Sequence, residues 1–333
     1  MSNQKSKINI GILGCANIAI RSVIPAVLNL NEYFNLVGIA SRDIANAEQC
    51  AQQFGFCGEV AAFGSYQSLL DCPNLDAVYI PLPNSLHAEW IEKALAKNLH
   101  VLVEKSLACD YKTVVYLNKL AEQQGVVLIE NFQFRFHSQL AKIKEIVASG
   151  KIGDLRCLKS FFGFPGLPTE NDIRYQKELG GGALLDAGAY PLKIAQIFMG
   201  ENIEVAAANL NYLPNKEVDI WGGAYIKQKN GDLFGEIAFG FNNFYQCNIE
   251  IWGSNGKLYT NRIFTAPPNF EPILELETVE GKEILKLSSD NHFENMLIHF
   301  YKTINGIEDK QTEYQQNINQ ARLLDELKTK SFL

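Results

Sequence analysis

Residues 8–19 read INIGILGCANIA, an apolar run that breaks into a turn of small residues. A short continuous apolar segment ending at a glycine has the character of a buried strand. Beyond the turn, Ile18 to Leu30 carries a helical pattern. The alternation then repeats. FNLVGIAS (34–41) is strand-like, and Asp43 is placed to cap a helix running toward Phe54. DAVYIPLP (76–83) precedes a helical stretch from Ser85 to Lys97; HVLVEK (100–105) precedes another reaching about Gln124, and VVLIEN (126–131) follows. Apolar strands interleaved with amphipathic helices predict a doubly wound parallel sheet covered on both faces. Ligands of such sheets bind beyond the carboxyl ends of the strands. Gly14 to Ala19, Ser41 to Asp43, Pro81 to Asn84 and Glu104 to Ser106 all fall at such ends.

The turn Gly14-Cys15-Ala16-Asn17-Ile18-Ala19 is a G-x-A-x-x-A version of the Rossmann dinucleotide fingerprint. The first glycine permits the tight strand-to-helix turn. Small residues at the second and third positions let a pyrophosphate approach the backbone and let the helix pack on the sheet. Alanine at the second position departs from the pattern, which gains its weight from ending a strand and opening a helix. Cofactor choice is read at the end of the second strand, where an acidic residue selects NAD and an arginine accommodates the 2′-phosphate of NADP. Here the chain has Ser41-Arg42-Asp43. Ser41 can donate to a phosphate, and Arg42 can pair with it while covering the adenine. NADP(H) is therefore the expected cofactor. The plainer alternative has Ser41 ending the strand, Arg42 in solvent and Asp43 capping a helix; both can hold together.

After about residue 150 the texture changes. LRCLKSFFGF (155–164), IEVAAANLNYL (203–213), IWGGAYIKQ (220–228), LFGEIAFGF (233–241) and YQCNIEIWG (245–253) are long and strand-like, with NGDL and SNGKL as hairpin signals. One helix, about Ala183 to Met199, interrupts them and two more close the chain. The fold class expected is an α/β Rossmann domain, residues 1–131, plus an α+β domain, residues 132–333, with an open, mostly antiparallel sheet. The closing helices are free to pack back on the first domain. At 333 residues, 47 % hydrophobic and 20 % charged, the composition is that of a folded two-domain protein. A net charge of −7 excludes a general nucleic-acid binder, which needs a broad basic surface. The seven cysteines (15, 50, 57, 72, 109, 157, 247) form no CxxC pair and no Cys/His cluster, so no metal is expected and a reducing compartment suits them. The opening MSNQKSKINIGILG lacks the apolar core of a signal peptide, and no apolar run approaches bilayer length, so a cytoplasmic protein without a membrane partner is expected.

IGILGCANIA, SRD, YIPLPNSLHAEW, HVLVEKSLA and GGGALLDAGAYPL, in this order and over nearly the whole chain, resemble the Gfo/Idh/MocA oxidoreductase family, named for glucose–fructose oxidoreductase and inositol dehydrogenase. GCANIAIR, ENFQFRFHSQ, RYQKELGGGALLDAGAYP, NRIFTAPPNFEP and DNHFENML resemble its nucleotide-sugar 3-ketoreductase branch. The resemblance implies NADPH-dependent reduction of the C3 ketone of a dTDP-linked keto-deoxysugar, in deoxysugar biosynthesis. It also implies a second domain that carries the substrate on an open sheet, whose face pairs copies into a homodimer or homotetramer.

Ketone reduction needs a hydride donor on one face of the carbonyl and a proton source for the developing alkoxide. Lys105 stands where the family places its catalytic lysine; the plainer alternative is a partner of Glu104 at a strand end. Tyr190 stands where many members carry histidine and the sugar-ketoreductase and dihydrodiol dehydrogenase branches carry tyrosine. A phenol, with an ordinary pKa of about 10, donates slowly unless a cation is near, and Lys105 could be that cation. Asp186, four residues before Tyr190, shares its face if the segment is helical, and could orient the tyrosine, the sugar or Lys105. The family usually has proline after Glu-Lys, often through a cis bond. Ser106 takes that place here, leaving open a trans bond with an altered loop or a cis bond before serine. Pro81, Leu82, Asn84, His87 and Glu104 complete the cofactor-side set. Arg174, Lys177, Arg262 and Asn131 are the substrate-side candidates. His87, Asn131 and His137 read more naturally as ordering groups, and Phe161, Phe162 and Phe164 as core or wall.

Two other functions fit the same residues: an NADP-dependent dehydrogenase of a free sugar or trans-dihydrodiol, and a non-catalytic NADP(H)-sensing protein. Keeping both Lys105 and Tyr190 speaks against the second.

Overall fold

A computed structural model describes residues 7–55 and 60–331, so Cys57 lies outside the described residues. The chain divides into two compact units, residues 1–131 with 293–318, and residues 132–292 with 319–333.

Among the described residues, the first unit has six parallel strands: β1 (Ile8–Leu13), β2 (Phe34–Ala40), β3 (Ala61–Phe63), β4 (Ala77–Ile80), β5 (His100–Glu104) and β6 (Leu128–Asn131), in the order β3-β2-β1-β4-β5-β6. The order reverses between β1 and β4, the switch point at which doubly wound sheets bind ligands. Helix α1 (Ile24–Asn29) continues a π-helical turn, Ala19–Val23, which tucks Ala19 and Val23 into the core. The helices α2 (Ile44–Gln53), α3 (Tyr66–Leu70) and α5 (Tyr111–Gln124) each start where a side-chain oxygen of Asp43, Ser65 or Asp110 accepts from a backbone N–H of the first turn. α4 (Asn84–Leu95) instead begins just after Pro83. β3 and α3 were not expected: both are too short to leave a periodic signature.

Two strictly parallel central strands, β1 and β4, are buried on both faces, and Ile10, Ile12, Val78 and Tyr79 have no exposed surface. α8 (His292–Ile304) and the first part of α9 (Lys310–Lys330) complete the unit. Tyr301 packs edge-on against Tyr33, with ring centroids 4.9 Å apart. Asn317 donates to Asn118 Oδ1 and to the Leu128 carbonyl, each at 3.0 Å, and the Tyr314 hydroxyl donates to the Val126 carbonyl.

The second unit is built on an eight-stranded sheet. Its strands are β7 (Leu155–Gly163), β8 (Ile203–Tyr212), β9 (Asp219–Gln228), β10 (Phe234–Gly240), β11 (Gln246–Gly253), β12 (Gly256–Asn261), β13 (Ile273–Thr278) and β14 (Gly281–Lys286), in the order β14-β13-β12-β11-β7-β10-β9-β8. All neighbours are antiparallel except β7 and β10. α6 (Ser138–Ala148) and α7 (Ala189–Met199), with the end of α9, supply the helical cover. Period-two alternation sorts the sheet. Leu158, Phe162, Ile237, Ile249, Ile251 and Leu258 face the core, whereas Trp221, Tyr225, Glu236, Lys159, Glu250 and Trp252 occupy the other face. The expected helix from Ala183 is a π-helical turn, Leu184–Gly188, running into α7.

Candidate active site

The first unit carries a cavity of about 850 Å³ at the carboxyl ends of β1, β2 and β4. Its wall includes Gly14, Cys15, Ala16, Ser41, Arg42, Pro81 and Leu82 of the expected cofactor set, joined by Asn46 and Cys50 of α2 and by Tyr66. Asn17, Ile18, Asn84, His87 and Glu104 stand outside that wall. Gly14 has φ +123°, and a Cβ there would lie 2.9 Å from Leu82 Cδ2. The glycine is therefore set both by backbone conformation and by the close approach of the β4 loop. Ser41 is nearly buried; its hydroxyl accepts from the Asp43 N–H at 3.3 Å while Asp43 caps α2. Arg42 and Tyr66 share that wall. Burial pushes the Tyr66 phenol up, and the nearby Arg42 charge opposes that shift. Asp43 thus caps α2 as in the plain reading, and Ser41 and Arg42 line the cavity. A small-residue turn under an open cavity, with a hydroxyl and a guanidinium at the neighbouring strand end, fits a dinucleotide carrying a 2′-phosphate.

Lys105 leaves the end of β5 in a loop fixed on both sides. The Lys105–Ser106 peptide bond is cis, which answers the question posed by the serine. Ser106 N–H donates to Asn84 Oδ1 at 3.2 Å, the Ser106 carbonyl lies 2.8 Å from His87 Nδ1, and Leu107 N–H donates to Glu130 Oε1 at 2.8 Å. Before the lysine, Glu104 Oε1 accepts from the Tyr79 hydroxyl at 2.7 Å and from Asn131 Nδ2 at 2.6 Å. Burial raises the Glu104 pKa, and the hydrogen bond from Tyr79, the Lys105 charge and the bond from Asn131 work against that rise. Asn131, a substrate-side candidate, thus anchors Glu104 beside the Lys105 loop. Tyr79, Asn84 and Glu130 anchor it as well. Asn84 stood among the cofactor residues; the tyrosine and the glutamate gave no signal, because each meets the loop from over twenty residues away in sequence.

His87 has no exposed surface, and its second ring nitrogen lies 2.7 Å from the Leu82 carbonyl. It therefore ties the Lys105–Ser106 loop to the cavity wall. Burial lowers its pKa from 6.5 to about 4; the Ser106 and Leu82 carbonyls oppose the shift and the Lys105 charge adds to it. A neutral imidazole has one N–H, so it donates to one of the two carbonyls at a time.

On the second unit, Tyr190 is buried among four phenylalanines. Its ring centroid lies 5.7 Å from Phe132, 5.9 Å from Phe134, 5.2 Å from Phe162 and 5.4 Å from Phe264. Phe162 and Phe264 are wall residues of this cage, as expected of Phe162. Asp186 lies in the π-helical turn before Tyr190, and the Arg174 Nε donates to its Oδ2 at 2.8 Å. Arg174 also pairs with Asp172 at 3.2 Å, and the two carboxylates, Asp186 first, raise its pKa. The glycine run positions this pair: Gly182, at φ +111°, donates its N–H to the Arg174 carbonyl at 2.9 Å. A Cβ on Gly182 would come within 2.5 Å of Asp219 Oδ1, whose carboxylate accepts from Leu184 N–H at the start of the turn. Lys177 is largely exposed and 3.4 Å from Glu217. Arg262 has φ +51° and its guanidinium stacks 5.2 Å from the Tyr245 ring centroid. His137 caps α6, accepting from Gln139 N–H at 3.1 Å, as an ordering group. Lys193, one turn beyond Tyr190, is fully buried with its ammonium 5.4 Å from the Phe132 ring centroid. Its place inside the apolar stretch AYPLKIAQIF was the signal for it. Among the described residues no cluster of His, Cys, Asp and Glu could hold a metal ion, and no helix is long and apolar enough to cross a membrane.

A six-stranded parallel sheet with its small-residue turn at the switch point, followed by a unit with an open sheet, defines a dinucleotide-dependent oxidoreductase of two-unit design. Residues 8–132 match the oxidoreductase family with an NAD-binding Rossmann fold, and residues 140–259 match the GFO/IDH/MocA C-terminal domain. The chain belongs to the Gfo/Idh/MocA oxidoreductase family. It is 35 % identical over 322 residues to a dTDP-3,4-didehydro-2,6-dideoxy-alpha-D-glucose 3-reductase of Actinomadura kijaniata, covering 97 % of this chain and 95 % of that one. A reductase of the same description from Saccharopolyspora spinosa is 36 % identical, covering 92 % and 91 %. The crystal structure of KijD10, a 3-ketoreductase from Actinomadura kijaniata in complex with NADP and TDP-benzene, superposes with a TM-score of 0.91 at 34 % identity, over 97 % of this chain and 98 % of that one.

Proposed function

We propose that this protein catalyses the NADPH-dependent reduction of the C3 ketone of a dTDP-linked keto-deoxysugar. The observation that carries the reading is the cavity at the sheet's switch point, with Gly14 at its floor and Ser41 and Arg42 at the strand end where a 2′-phosphate is selected. Similarity over nearly the full length to relatives named as 3-reductases supports the substrate class.

Bound NADPH supplies the hydride. Gly14, Cys15 and Ala16 would receive its pyrophosphate on the backbone, with Ser41 and Arg42 on the 2′-phosphate. Lys105 holds its ammonium toward the carbonyl oxygen and stabilises the developing alkoxide, a contribution that grows where water is excluded. The Asn84, His87 and Glu130 bonds to residues 106 and 107, and the Tyr79 and Asn131 bonds to Glu104, hold the lysine's backbone in place. Tyr190 gives its phenolic proton to the alkoxide. The phenylalanine cage around it keeps the ring in one orientation and lowers the local dielectric. Asp186, held by Arg174, positions the sugar or the tyrosine, while Lys177 and Arg262 offer cationic contacts to the diphosphate. Trp221, Tyr225 and Trp252 on the open sheet face support assembly of copies into a homodimer or homotetramer. Work in the cytoplasm is in keeping with scattered cysteines that form no CxxC pair in the sequence.

Titration with NADPH and NADH tests the cofactor: tighter NADPH, with the preference erased by Arg42→Ala, is expected, and equal or tighter NADH refutes it. Calorimetry with dTDP tests the substrate class; no binding transfers the reading to a free sugar. Stalled turnover of dTDP-keto-sugars despite tight NADPH binding would point to a sensor.

A further inference from the structure

Two thiols meet at the wall of the cofactor cavity. Cys15 follows the first glycine of the turn, and Cys50 lies on the inner side of α2. Both line the same 850 Å³ space. Cys15 is half-buried, and Cys50 is 3 % exposed. The Cys15 thiol donates to the Asn46 carbonyl at 3.6 Å, one turn before Cys50 on α2, which sets the two thiols beside each other. The cysteines at 72, 109, 157 and 247 lie off the cavity wall.

We infer that Cys15 and Cys50 form a reversible oxidation site, closed to a disulfide by peroxide and gating entry of the dinucleotide. The pair has the asymmetry that such chemistry requires. The Cys50 thiol beside it lowers the Cys15 pKa, a gain that burial partly opposes; the same neighbour, with burial, pushes Cys50 up. Cys15 is therefore the thiol that ionises first and faces the cavity, through which a small oxidant arrives. Its thiolate attacks hydrogen peroxide, breaking the O–O bond to give a sulfenic acid and hydroxide. The Cys50 sulfur then attacks the Cys15 sulfur, and the sulfenic oxygen leaves as water with the Cys50 proton. Two thiols lose two electrons, and one peroxide is reduced to two waters once the hydroxide is protonated. Dithiothreitol or a cellular dithiol reverses the bond by exchange.

The consequence for the cofactor rests on the proposed NADPH reading. A disulfide brings its sulfurs to about 2.05 Å, closer than any hydrogen-bonded pair. Closing it draws the turn, whose backbone would meet the pyrophosphate, toward α2. Gly14 and Leu82 line the same cavity, and a Cβ on Gly14 would already lie 2.9 Å from Leu82 Cδ2, so a shift of the turn reshapes that space.

The full-length reduced protein is treated with hydrogen peroxide, blocked with N-ethylmaleimide and analysed by intact mass and peptide mapping. Expected is the loss of two of the seven thiols, with a linked peptide pair containing Cys15 and Cys50, reversed by dithiothreitol. Cys50→Ser should leave Cys15 as a trapped sulfenic acid and form no linked pair; Cys247→Ser should still form it. In a second arm, NADPH present during oxidation should slow the linkage at least tenfold, and the oxidised protein should bind NADPH at least tenfold more weakly. Absence of the linked pair in protein that binds NADPH normally overturns the site and leaves the proposed function standing. A linked pair that forms at the same rate with or without NADPH overturns the gating. Failure of the reduced protein to bind NADPH at all counts against the cofactor reading, while the linked pair alone continues to support the oxidation site.

Discussion

Acidification should destabilise this protein through histidines that the fold keeps neutral, among them the fully buried His87. Its ordinary pKa of 6.5 falls to about 4 in the folded chain because burial penalises the imidazolium and Lys105 repels it. Below pH 6.5 the unfolded chain binds a proton at His87 that the folded chain refuses. The stability His87 contributes is thus complete above pH 6.5 and is lost progressively as the pH falls toward 4. At pH 5 the difference is 1.5 pH units, and at 1.36 kcal/mol per unit it amounts to about 2 kcal/mol. His292, buried and lowered to about 3 by desolvation and by its neighbour His137, adds a similar loss over the same window. Together they remove about 4 kcal/mol between pH 7.5 and 5, a large share of the 5–15 kcal/mol typical of native proteins. Urea unfolding at pH 7.5, 6.5, 5.5 and 5.0 measures the slope, and His87→Gln should flatten it by close to one proton. Nitrogen chemical shifts of the imidazole give a direct reading and should show one protonated nitrogen at pH 6. An imidazole that titrates near 6.5, or a variant that loses stability in parallel with the wild type, refutes the reasoning.

Further perturbations follow from the same geometry. Gly14→Val sets a branched side chain at φ +123° against Leu82, and should weaken NADPH binding at least tenfold in a fluorescence titration, with the circular dichroism spectrum unchanged. Tyr190→Phe keeps the phenylalanine cage but removes the proton, so kcat should fall on the order of a hundredfold with KM nearly constant in steady-state assays. Gly253→Ala would place a Cβ 1.9 Å from the Ile152 carbonyl oxygen at the β11 bulge, and should lower stability by about 1–3 kcal/mol, read as a drop in Tm while activity per folded molecule is kept.

What the sequence made legible was whatever is local. The turn at 14–19, the cap at Asp43 and the strand-end Ser41-Arg42 pair are contiguous strings whose physics needs few distant partners. Each appears in the structure where the chain pattern puts it. The π-helical turns at 19–23 and 184–188 were read as plain helix, since one inserted residue barely disturbs an apolar periodicity. β12 to β14 carry charged residues on their open face and so lacked the apolar texture that revealed β7 to β11. α6, whose apolar face is legible in principle, fell at the change of texture near residue 150 and was passed over. The loop around Lys105 was the hardest part. Its position was marked by resemblance, but its support comes from Tyr79, Asn84, Glu130 and Asn131, which only the parallel sheet and α4 bring to it. Arg174, a substrate-side candidate, is engaged by Asp172 and Asp186, twelve residues away at most, a pairing that the sequence alone did not reveal.

The division of the chain also sets an order of synthesis. The first unit's sheet is finished at Asn131, but Tyr301, Tyr314 and Asn317, which close over it, come after the whole of Phe132–His292. At ribosomal speeds of 5–20 residues per second, that intervening segment takes on the order of ten to thirty seconds to make. During that interval the nascent sheet exposes the patch around Tyr33, Phe34, Val126 and Leu128 that the later helices cover. The first unit is therefore completed only after residue 318 has left the tunnel, well after its sheet has been made.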